Sequence, residues 1–409
     1  MIIFFRFKRQ LPIILITCMF LSGASRTMKV YAEDGLSMYS GSYALTDAVT
    51  GRLLTGKNET NPMANASTTK ILTCIVTLEN SSLDEIVTIS GNAASQPRVR
   101  LGMSKGEQYP LRDMLYALML ESYNDCAVAI AEHVGGSVEN FAQMMNEKAM
   151  EIGCQDTYFI TPNGLDAEMG EQFHHTTAMD LCRIMAYCVW ESPMKDAFLE
   201  ITQTRNYSGK YDGNSYSFVN RNSFLDQMDG VVSGKTGYTS KAGYCYVAAF
   251  EKDGEKFCIA LLACGWPNNK TYKWKDATQL LTYGMENYEV EIIEGEQLKK
   301  QILVDGYVGE RTFSNINRDM KLSIEGEYQM FEVLLAETEA IETEIIIYTD
   351  RQLPIEAGTI MGECNLYLED VLLASVPLRA METSREWTWL ETAENILLQF
   401  LTFSSQSDL

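Results

Sequence analysis

The sequence predicts a mixed fold of the α/β (α+β) class, in which an antiparallel sheet is joined to a helical subdomain. Two short alternating runs surround the Asp47–Gly51 turn, and a second antiparallel pair surrounds Asp253 and Gly254. Between these pairs lie apolar segments with helical spacing. Beyond about residue 290 the helical pattern stops, which predicts a small all-β C-terminal domain, followed by a terminal amphipathic helix.

The chain begins with a predicted signal peptide. Residues 1–32 contain five basic side chains and no acidic one, and an uncharged run from Gln10 to Ser25 has an apolar centre. A basic start, a short apolar middle and a small residue at the cut are typical of secretory leaders. We therefore expect cleavage after Ala32 or Ala24 and export from the cytoplasm.

Charge and cysteine usage exclude two classes of function. The chain of 409 residues has a formal charge of −22, and loss of the five basic leader residues takes it to −27. Such an acidic protein repels nucleic acid. With three histidines and no Cys-x-x-Cys or His-x-x-x-His spacing, we expect no metal and no cofactor. The cysteines in apolar helical patterns are predicted to be reduced and buried: Cys74, Cys126, Cys182 and Cys188.

The first chemical motif precedes the apolar segment Ile71–Leu78. Ser67 is predicted to be the N-cap of a buried helix, and Lys70, one turn on, places its amine on the same face. A serine hydroxyl becomes a nucleophile when a base takes its proton, and a neutral lysine can be that base. The pKa of the lysine must then fall from about 10.4 towards 7, through burial and a second cation. The alternative is a helix cap with a solvated lysine.

A second polar cluster lies between two predicted helices, at 111–120 and 125–134. Ser122 and Asn124 are either functional or ordinary turn and cap residues. Further helices are predicted at 138–152, 176–190 and 273–288, with a loop at 161–166. Ser104 lies in a Gly-x-Ser-x-Gly stretch, but Pro110 follows shortly after it, so we interpret it as a loop serine.

A third cluster occupies the predicted strand 231–237, where Lys235 and Thr236 are flanked by Gly234 and Gly237. Glycines in a strand favour close approach of a ligand to the backbone. The alternative is an exposed edge strand with a lysine that prevents aggregation.

Short alternating runs then predict a small β-sandwich: 301–304, 320–324, 344–348, 364–368 and 371–376. Residues 385–403 return to helical spacing, with apolar residues on one side and acidic and polar residues on the other.

The three clusters together are far more specific than any one of them. In this order they resemble the serine penicillin-recognising enzymes, whose signatures are Ser-x-x-Lys, Ser-x-Asn and Lys-Thr-Gly. The chain is most similar to the D-alanyl-D-alanine carboxypeptidases, the low-molecular-mass penicillin-binding proteins, in stretches such as 47–51, 163–166 and 234–239. The likeness extends from about residue 40 to 380, because 353–362 resembles the C-terminal β domain of that family.

The resemblance implies a domain organisation and a location. Residues 33–289 would form a β-lactamase/transpeptidase-like catalytic domain, 290–383 a β-sandwich, and 384–409 an amphipathic membrane-associating helix and tail. The protein would act in the cell wall or at the outer face of the cytoplasmic membrane. Relatives usually carry basic residues on the terminal helix, whereas this helix is acidic and would depend on its aromatic residues for membrane contact. A docked or dimerising helix is the alternative.

The resemblance also implies catalytic roles. Ser67 would attack the carbonyl between the two terminal D-alanines of a peptidoglycan stem peptide, Lys70 would accept its proton, and Ser122 would relay that proton to the departing D-alanine. β-Lactam antibiotics would acylate Ser67 in the same way.

Substrate binding is implied for the remaining motif residues. Asn124 would hold the substrate amide, and Lys235 and Thr236, in the motif completed by Gly237, would bind the terminal carboxylate. The backbone N–H groups of Ser67 and Tyr238 would form the oxyanion hole. Many relatives place an arginine downstream of Lys-Thr-Gly, where this chain offers only lysines, such as Lys270 and Lys273.

Two other functions compete with this one. A class A β-lactamase carries the same three signatures, but it also has a Glu-x-x-Leu-Asn stretch that this chain lacks. A non-catalytic cell-wall-binding relative would keep the fold and lose turnover.

Overall fold

The computed structural model describes residues 36–294, 300–305, 319–326, 330–348, 355–368, 371–380 and 383. The chain divides between Val290 and Glu291 into two compact units, each described here by itself. The predicted leader and the predicted terminal helix lie outside the described residues. Within the described residues, no helix combines the length and the apolar character that crossing a membrane requires.

The first unit contains one main antiparallel sheet of five strands, in the order β2-β1-β11-β10-β9. The strands of this unit are β1 (Ser42–Asp47), β2 (Leu53–Lys57), β3 (Ile86–Thr88), β4 (Gln108–Pro110), β5 (Glu168–Met169), β6 (Gln172–Phe173), β7 (Asn206–Tyr211), β8 (Asn214–Val219), β9 (Val231–Thr239), β10 (Gly243–Lys252) and β11 (Glu255–Leu262). The two predicted antiparallel pairs are β1–β2 and β10–β11. The predicted strand at 231–237 is β9, an edge of this sheet.

The helices of the first unit are α1 (Lys70–Asn80), α2 (Gly91–Ala94), α3 (Leu111–Tyr116), α4 (Asn124–Gly135), α5 (Val138–Glu151), α6 (Ala178–Ala186), α7 (Lys195–Gln203), α8 (Phe224–Gln227) and α9 (Tyr272–Asn287). A 3₁₀ turn at Ala66–Thr69 precedes α1. One π-helical turn at Ala117–Glu121 extends α3, and another at Tyr187–Glu191 extends α6. The helices predicted from apolar spacing at 111–120, 125–134, 138–152, 176–190 and 273–288, and the one that follows Ser67, are present within a few residues of the expected bounds.

The helix α1 lies at the centre of the first unit. Its residues from Lys70 to Leu78 are all buried, as expected for a helix that is apolar on nearly every side. The helices α4, α5, α6 and α7 all pack around it. Burial of this kind fixes the position of the first turn of α1, where the Ser67 motif lies.

The cysteines of the first unit are free thiols. There are eight of them among the described residues, from Cys74 to Cys264, and all except Cys154 are buried. This confirms the prediction of reduced, buried side chains for the four helical cysteines.

The second unit is built of β-strands. Their bounds are β12 (Glu289–Glu294), which spans the division between the units, β13 (Lys300–Asp305), β14 (Asp319–Gly326), β15 (Met330–Leu335), β16 (Ile341–Ile347), β17 (Ile360–Leu368) and β18 (Val371–Ala380). Five of them form a sheet in the order β13-β14-β18-β17-β16, and these are the five runs predicted from alternation. The buried hydrophobic residues of the second unit include Val333, Met361, Leu366 and Leu378. The two-sheet sandwich itself stays a prediction.

Candidate active site

Ser67 lies in the 3₁₀ turn that precedes α1, one residue after a strained position. Ala66 has a φ of 50°, in the left-handed region that non-glycine residues rarely adopt. The prediction that Ser67 is the N-cap is wrong, because Ser67 lies inside the 3₁₀ turn, whose N-cap is Asn65, and the N-cap of α1 is Thr69. The Nδ2 of Asn65 donates to the hydroxyls of Thr68 and Thr69 at 3.0 and 2.9 Å. The asparagine therefore holds the turn, and the Ser67 hydroxyl is left for another partner.

That partner is Lys70, whose Nζ lies 2.8 Å from the Ser67 Oγ. The amine also contacts the Asn124 Oδ1 at 2.9 Å and the backbone carbonyl of Asn163 at 2.7 Å. A neutral amine has two hydrogens and one lone pair, so it can donate to these two oxygens and accept the serine hydrogen. The three contacts are compatible with the lysine in its basic form, and the surroundings of the amine decide its charge.

The electrostatics of the pocket favour this neutral form. Lys70 is fully buried, and burial, reinforced by the nearby charge of Lys235, lowers its pKa well below the ordinary value of 10.5. Asp125 opposes the shift, but its carboxylate accepts backbone N–H bonds from Leu101 and Gly102 at 3.0 and 2.8 Å. Burial and a second cation are the two causes that were expected from the sequence to lower the pKa of Lys70.

Ser122 follows directly on the π-helical turn and has φ and ψ of 67° and 33°. A left-handed conformation of a non-glycine residue costs about 1–3 kcal/mol and persists where its surroundings enforce it. Here the preceding Glu121 is buried and accepts the Val219 N–H at 2.9 Å and the Arg221 Nε–H at 2.7 Å. The turn that presents Ser122 is thus attached to the end of β8.

Asn124 is the first residue of α4, and Tyr123 occupies the N-cap. The interpretation of Asn124 as a cap residue is therefore wrong. Its amide instead connects Lys70 to the carbonyl of Pro97, to which Nδ2 donates at 3.3 Å.

Lys235 lies on β9 and is only 2% exposed. This contradicts the alternative of a solvated lysine on an edge strand. Its Nζ donates to the Ser122 Oγ at 2.9 Å and to the Thr236 carbonyl at 3.0 Å. Burial lowers the pKa of Lys235 to about 7. The second and third motifs thus meet directly.

The backbone of β9 approaches the Ser67 turn at Gly237. A Cβ at this position would lie 2.9 Å from the Ser67 nitrogen and 3.1 Å from the Asn65 carbonyl oxygen. A side chain there would displace the turn, so glycine is required by this close approach. Next to it, Tyr238 is partly exposed and its ring lies 4.7 Å from that of Tyr244.

Sequence reasoning missed two contributors to this site, Asn163 and His174. Residues 161–166 were predicted as a loop, and 163–166 as part of the family resemblance, but no residue there was assigned to the site, yet the Asn163 carbonyl contacts the Lys70 amine. Gly164, at a φ of +78°, packs so closely on the Ala66 carbonyl that no side chain would fit. Every residue has a backbone carbonyl, so residue type cannot reveal this contact, but the Asn163-Gly164 pair indicated an unusual turn.

The downstream lysine Lys273 is buried beside aromatic rings. Its Nζ lies 4.8 Å from the centre of the Tyr244 ring and 4.6 Å from that of Trp274, and burial lowers its pKa. Ser104, by contrast, lies in an exposed loop, as predicted.

Comparison with known proteins adds the family. Residues 28–263, more than half of the chain, match the family model described as D-alanyl-D-alanine carboxypeptidase. The chain belongs to the D-alanyl-D-alanine carboxypeptidase family. D-alanyl-D-alanine carboxypeptidase DacD of Salmonella typhimurium (strain LT2) is 30% identical over 368 residues, which cover 86% of this chain and 88% of that protein. DacF of Bacillus subtilis (strain 168) is 27% identical over 394 residues, which cover 93% and 95%.

A solved structure agrees at the level of the fold. Penicillin binding protein 5 from Haemophilus influenzae matches with a TM-score of 0.67 at 23% identity, over 86% of this chain and 99% of that one. The predicted family and the predicted β-lactamase/transpeptidase-like fold class are confirmed. As a member of this family, the carboxypeptidase is a serine-type peptidase of the penicillin-binding class and a hydrolase.

Proposed function

We propose that this carboxypeptidase removes the terminal D-alanine from peptidoglycan stem pentapeptides through an acyl-enzyme on Ser67. The observation that carries the proposal is the 2.8 Å contact between the Ser67 Oγ and the buried amine of Lys70. A nucleophile within hydrogen-bond reach of a base with a depressed pKa is the arrangement that acyl transfer requires.

Acylation begins when the Ser67 oxygen attacks the carbonyl between the two D-alanines and its proton moves to the Lys70 Nζ. The developing oxyanion is bound by the N–H groups of Ser67 and Tyr238, and each such donor contributes about 3–4 kcal/mol. The carbon–nitrogen bond then breaks, and Ser122 relays the proton to the leaving amine. The contact between Ser122 and Lys235 supports this role.

Deacylation reverses these proton movements. A water molecule gives a proton to Lys70 and attacks the ester, and the Ser67 oxygen leaves with that proton. Asn124 holds the substrate amide throughout, whereas Lys235 and Thr236, beside Gly237, bind the terminal carboxylate until the D-alanine leaves. β-Lactams, which mimic the dipeptide, acylate Ser67 by the same first step.

The rest of the chain is assigned a supporting role. We assign residues 33–289 to the catalytic domain, 290–383 to a β-sandwich and 384–409 to a helix that contacts the outer face of the cytoplasmic membrane. The leader 1–32 directs export, so the enzyme works on the cell wall.

Release of D-alanine from a peptide ending in D-Ala-D-Ala tests the proposal. Wild-type protein and the Ser104→Ala control should release it, because Ser104 is an exposed loop residue, whereas Ser67→Ala should not. Mass spectrometry after incubation with penicillin should find one adduct, on Ser67. Equal release by wild type and Ser67→Ala would refute the proposal.

The β-lactamase alternative is tested with the same adduct. A lifetime of the penicilloyl-enzyme longer than minutes favours the carboxypeptidase, and a lifetime of minutes or less favours the alternative.

A further inference from the structure

Two adjacent histidines, His174 and His175, are both buried but face different partners. The Nε2 of His174 lies 2.9 Å from the Thr69 Oγ1, in the turn that carries Ser67. His175 instead contacts the Phe173 carbonyl at 2.6 Å and the Asp156 carboxylate at 3.2 Å. Only the first of this pair contacts the turn of the nucleophile.

The partners of His174 determine its tautomer. Its Nδ1 accepts the backbone N–H of Ile160 at 3.0 Å and that of Thr161 at 3.3 Å, so this nitrogen carries no hydrogen. In a neutral imidazole the hydrogen then resides on Nε2. Burial supports the neutral state, because it lowers the pKa of His174 to about 3.

The Thr69 hydroxyl completes this network. It donates to the Ala66 carbonyl at 2.9 Å, and it accepts from the Asn65 Nδ2 at 2.9 Å. Because its only hydrogen is used, its remaining capacity is as an acceptor, which matches the Nε2–H of His174. The hydroxyl thus holds the carbonyl of Ala66, the strained residue just before Ser67.

The other end of the imidazole holds a second part of the site. Ile160 and Thr161 begin the loop at 160–165, which we call the Asn163 loop. Two further contacts attach this loop to α1: the Thr73 hydroxyl donates to the Pro162 carbonyl at 2.7 Å, and the Lys70 amine contacts the Asn163 carbonyl. His174 is therefore a bridge between the loop that contacts the base and the turn that carries the nucleophile.

We propose that His174 is a positioning residue of acylation, which holds the Ser67 turn and the Asn163 loop around Lys70 as a neutral Nε2–H tautomer. This inference rests on the proposed roles of Ser67 and Lys70. His174 itself does not touch the substrate or exchange a proton. Its effect is on geometry, and a misplacement of about 1 Å in a reacting group can lower a rate about 100-fold.

The test uses the full chain and the rate of acylation by a fluorescent penicillin. His174→Asn keeps an acceptor for the two loop N–H groups and loses the donor to Thr69. We expect acylation to slow about 10- to 100-fold with little change in the affinity of the non-covalent complex. The matched control His175→Asn should acylate at the wild-type rate. A folded His174→Asn variant that acylates at the wild-type rate would overturn the inference.

Thr69→Val tests the same link from the other side. It should slow acylation at least as much, because it also removes the hydrogen bond to the Ala66 carbonyl. The double variant should be no slower than Thr69→Val, because both changes remove the bond between His174 and Thr69. Losses that multiply would show that the two residues act separately and would refute the bridge. If His174→Asn does not fold at the assay temperature, a folded Thr69→Val variant with wild-type acylation is sufficient to reject the proposal.

A pH profile separates positioning from a merely structural role. A displaced Asn163 loop lets water reach Lys70. The pKa of Lys70 should then rise, although the charge of Lys235 still lowers it. Because Lys70 must be neutral to act as the base, the acid limb of the acylation profile should move to higher pH. A structural role alone would lower the folded fraction and leave the profile of the folded molecules unchanged. Failure of the proposed function itself would appear in the wild type, as an absence of any Ser67 adduct.

Discussion

Replacement of Lys235 by methionine should stabilise the fold near pH 6 while abolishing D-alanine release. Lys235 is 2% exposed, and burial lowers its pKa from 10.5 to about 7. At pH 6 the folded protein must therefore hold a charged amine in a dry site. Methionine has a similar length and no charge, so it removes this cost together with the cation that would bind the substrate carboxylate.

The magnitude follows from the pKa. One unit of pKa corresponds to about 1.4 kcal/mol, so the fall from 10.5 to about 7 costs about 5 kcal/mol when the amine is charged. The variant also loses the hydrogen bonds to the Ser122 hydroxyl and the Thr236 carbonyl, at about 1 kcal/mol each. We therefore expect Lys235→Met to be more stable than wild type by about 3 kcal/mol at pH 6.

The sign of this difference should change with pH. Because the folded pKa is depressed, the unfolded chain binds more protons between pH 7 and 10.5, and wild-type stability rises through this range. Above pH 10.5 the amine is neutral in both the folded and the unfolded state, so the two proteins differ only by the hydrogen bonds that the variant lacks. The variant should then be less stable than wild type by about 2 kcal/mol. Lys70 titrates in both proteins. Its pKa rises when Lys235 is removed, which adds to the gain at low pH.

Both differences are measured by denaturant unfolding at pH 6 and at pH 10.5, with the free energy of unfolding as the readout. The control is Lys241→Met, whose lysine is half exposed beside Glu168, and it should change stability by less than about 0.5 kcal/mol at either pH. A Lys235→Met variant that is less stable than wild type at pH 6, or whose difference does not depend on pH, would refute the reasoning.

Three further predictions follow from the same contacts. Gly237→Ala should slow penicillin acylation about 100-fold, because its Cβ would lie 2.9 Å from the Ser67 nitrogen, whereas Gly91→Ala, with 3.7 Å to its nearest neighbour, should not. Glu121→Ala should lower the free energy of unfolding by about 2 kcal/mol, since the Val219 N–H loses its acceptor. Arg221→Ala should lower it by less than about 1 kcal/mol, because that side chain is 64% exposed, and equal losses in denaturant unfolding would contradict this ranking. The pKa of His174 is about 3 in the folded protein and ordinarily 6.5, so the unfolded state takes up a proton first as pH falls. Between pH 6.5 and 4 this group should therefore lower the free energy of unfolding of the wild type by about 3 kcal/mol. His174→Asn should lose correspondingly less, and identical acid slopes in the two proteins would count against a buried neutral imidazole.

The helices around the site were predictable because their apolar residues recur with a helical period and are buried. The bounds of helices α4 and α5 were predicted to within one residue, and β9 was marked by the glycines around Lys235. The convergence of the three motifs in one pocket came from the family resemblance, since spacing along the chain carries no distance between α1 and β9.

Other features could not be predicted from the sequence, each for its own physical reason. Ser67 was predicted as the N-cap, but a 3₁₀ turn at Ala66–Thr69 precedes α1, and Ser67 lies inside that turn. The hairpin of β7 and β8 was missed because its residues are mostly polar, while its packing depends on a few aromatic rings, such as Tyr207 and Phe218. The base contact from Asn163 was missed because any residue supplies a carbonyl.

The buried free thiols can be used to measure how often the folded protein opens. Burial raises the pKa of Cys74, Cys126 and Cys258, so at neutral pH they carry almost no reactive thiolate while the chain is folded. An alkylating reagent would therefore label these positions only in molecules that have opened, and the rate of labelling would measure how often they open.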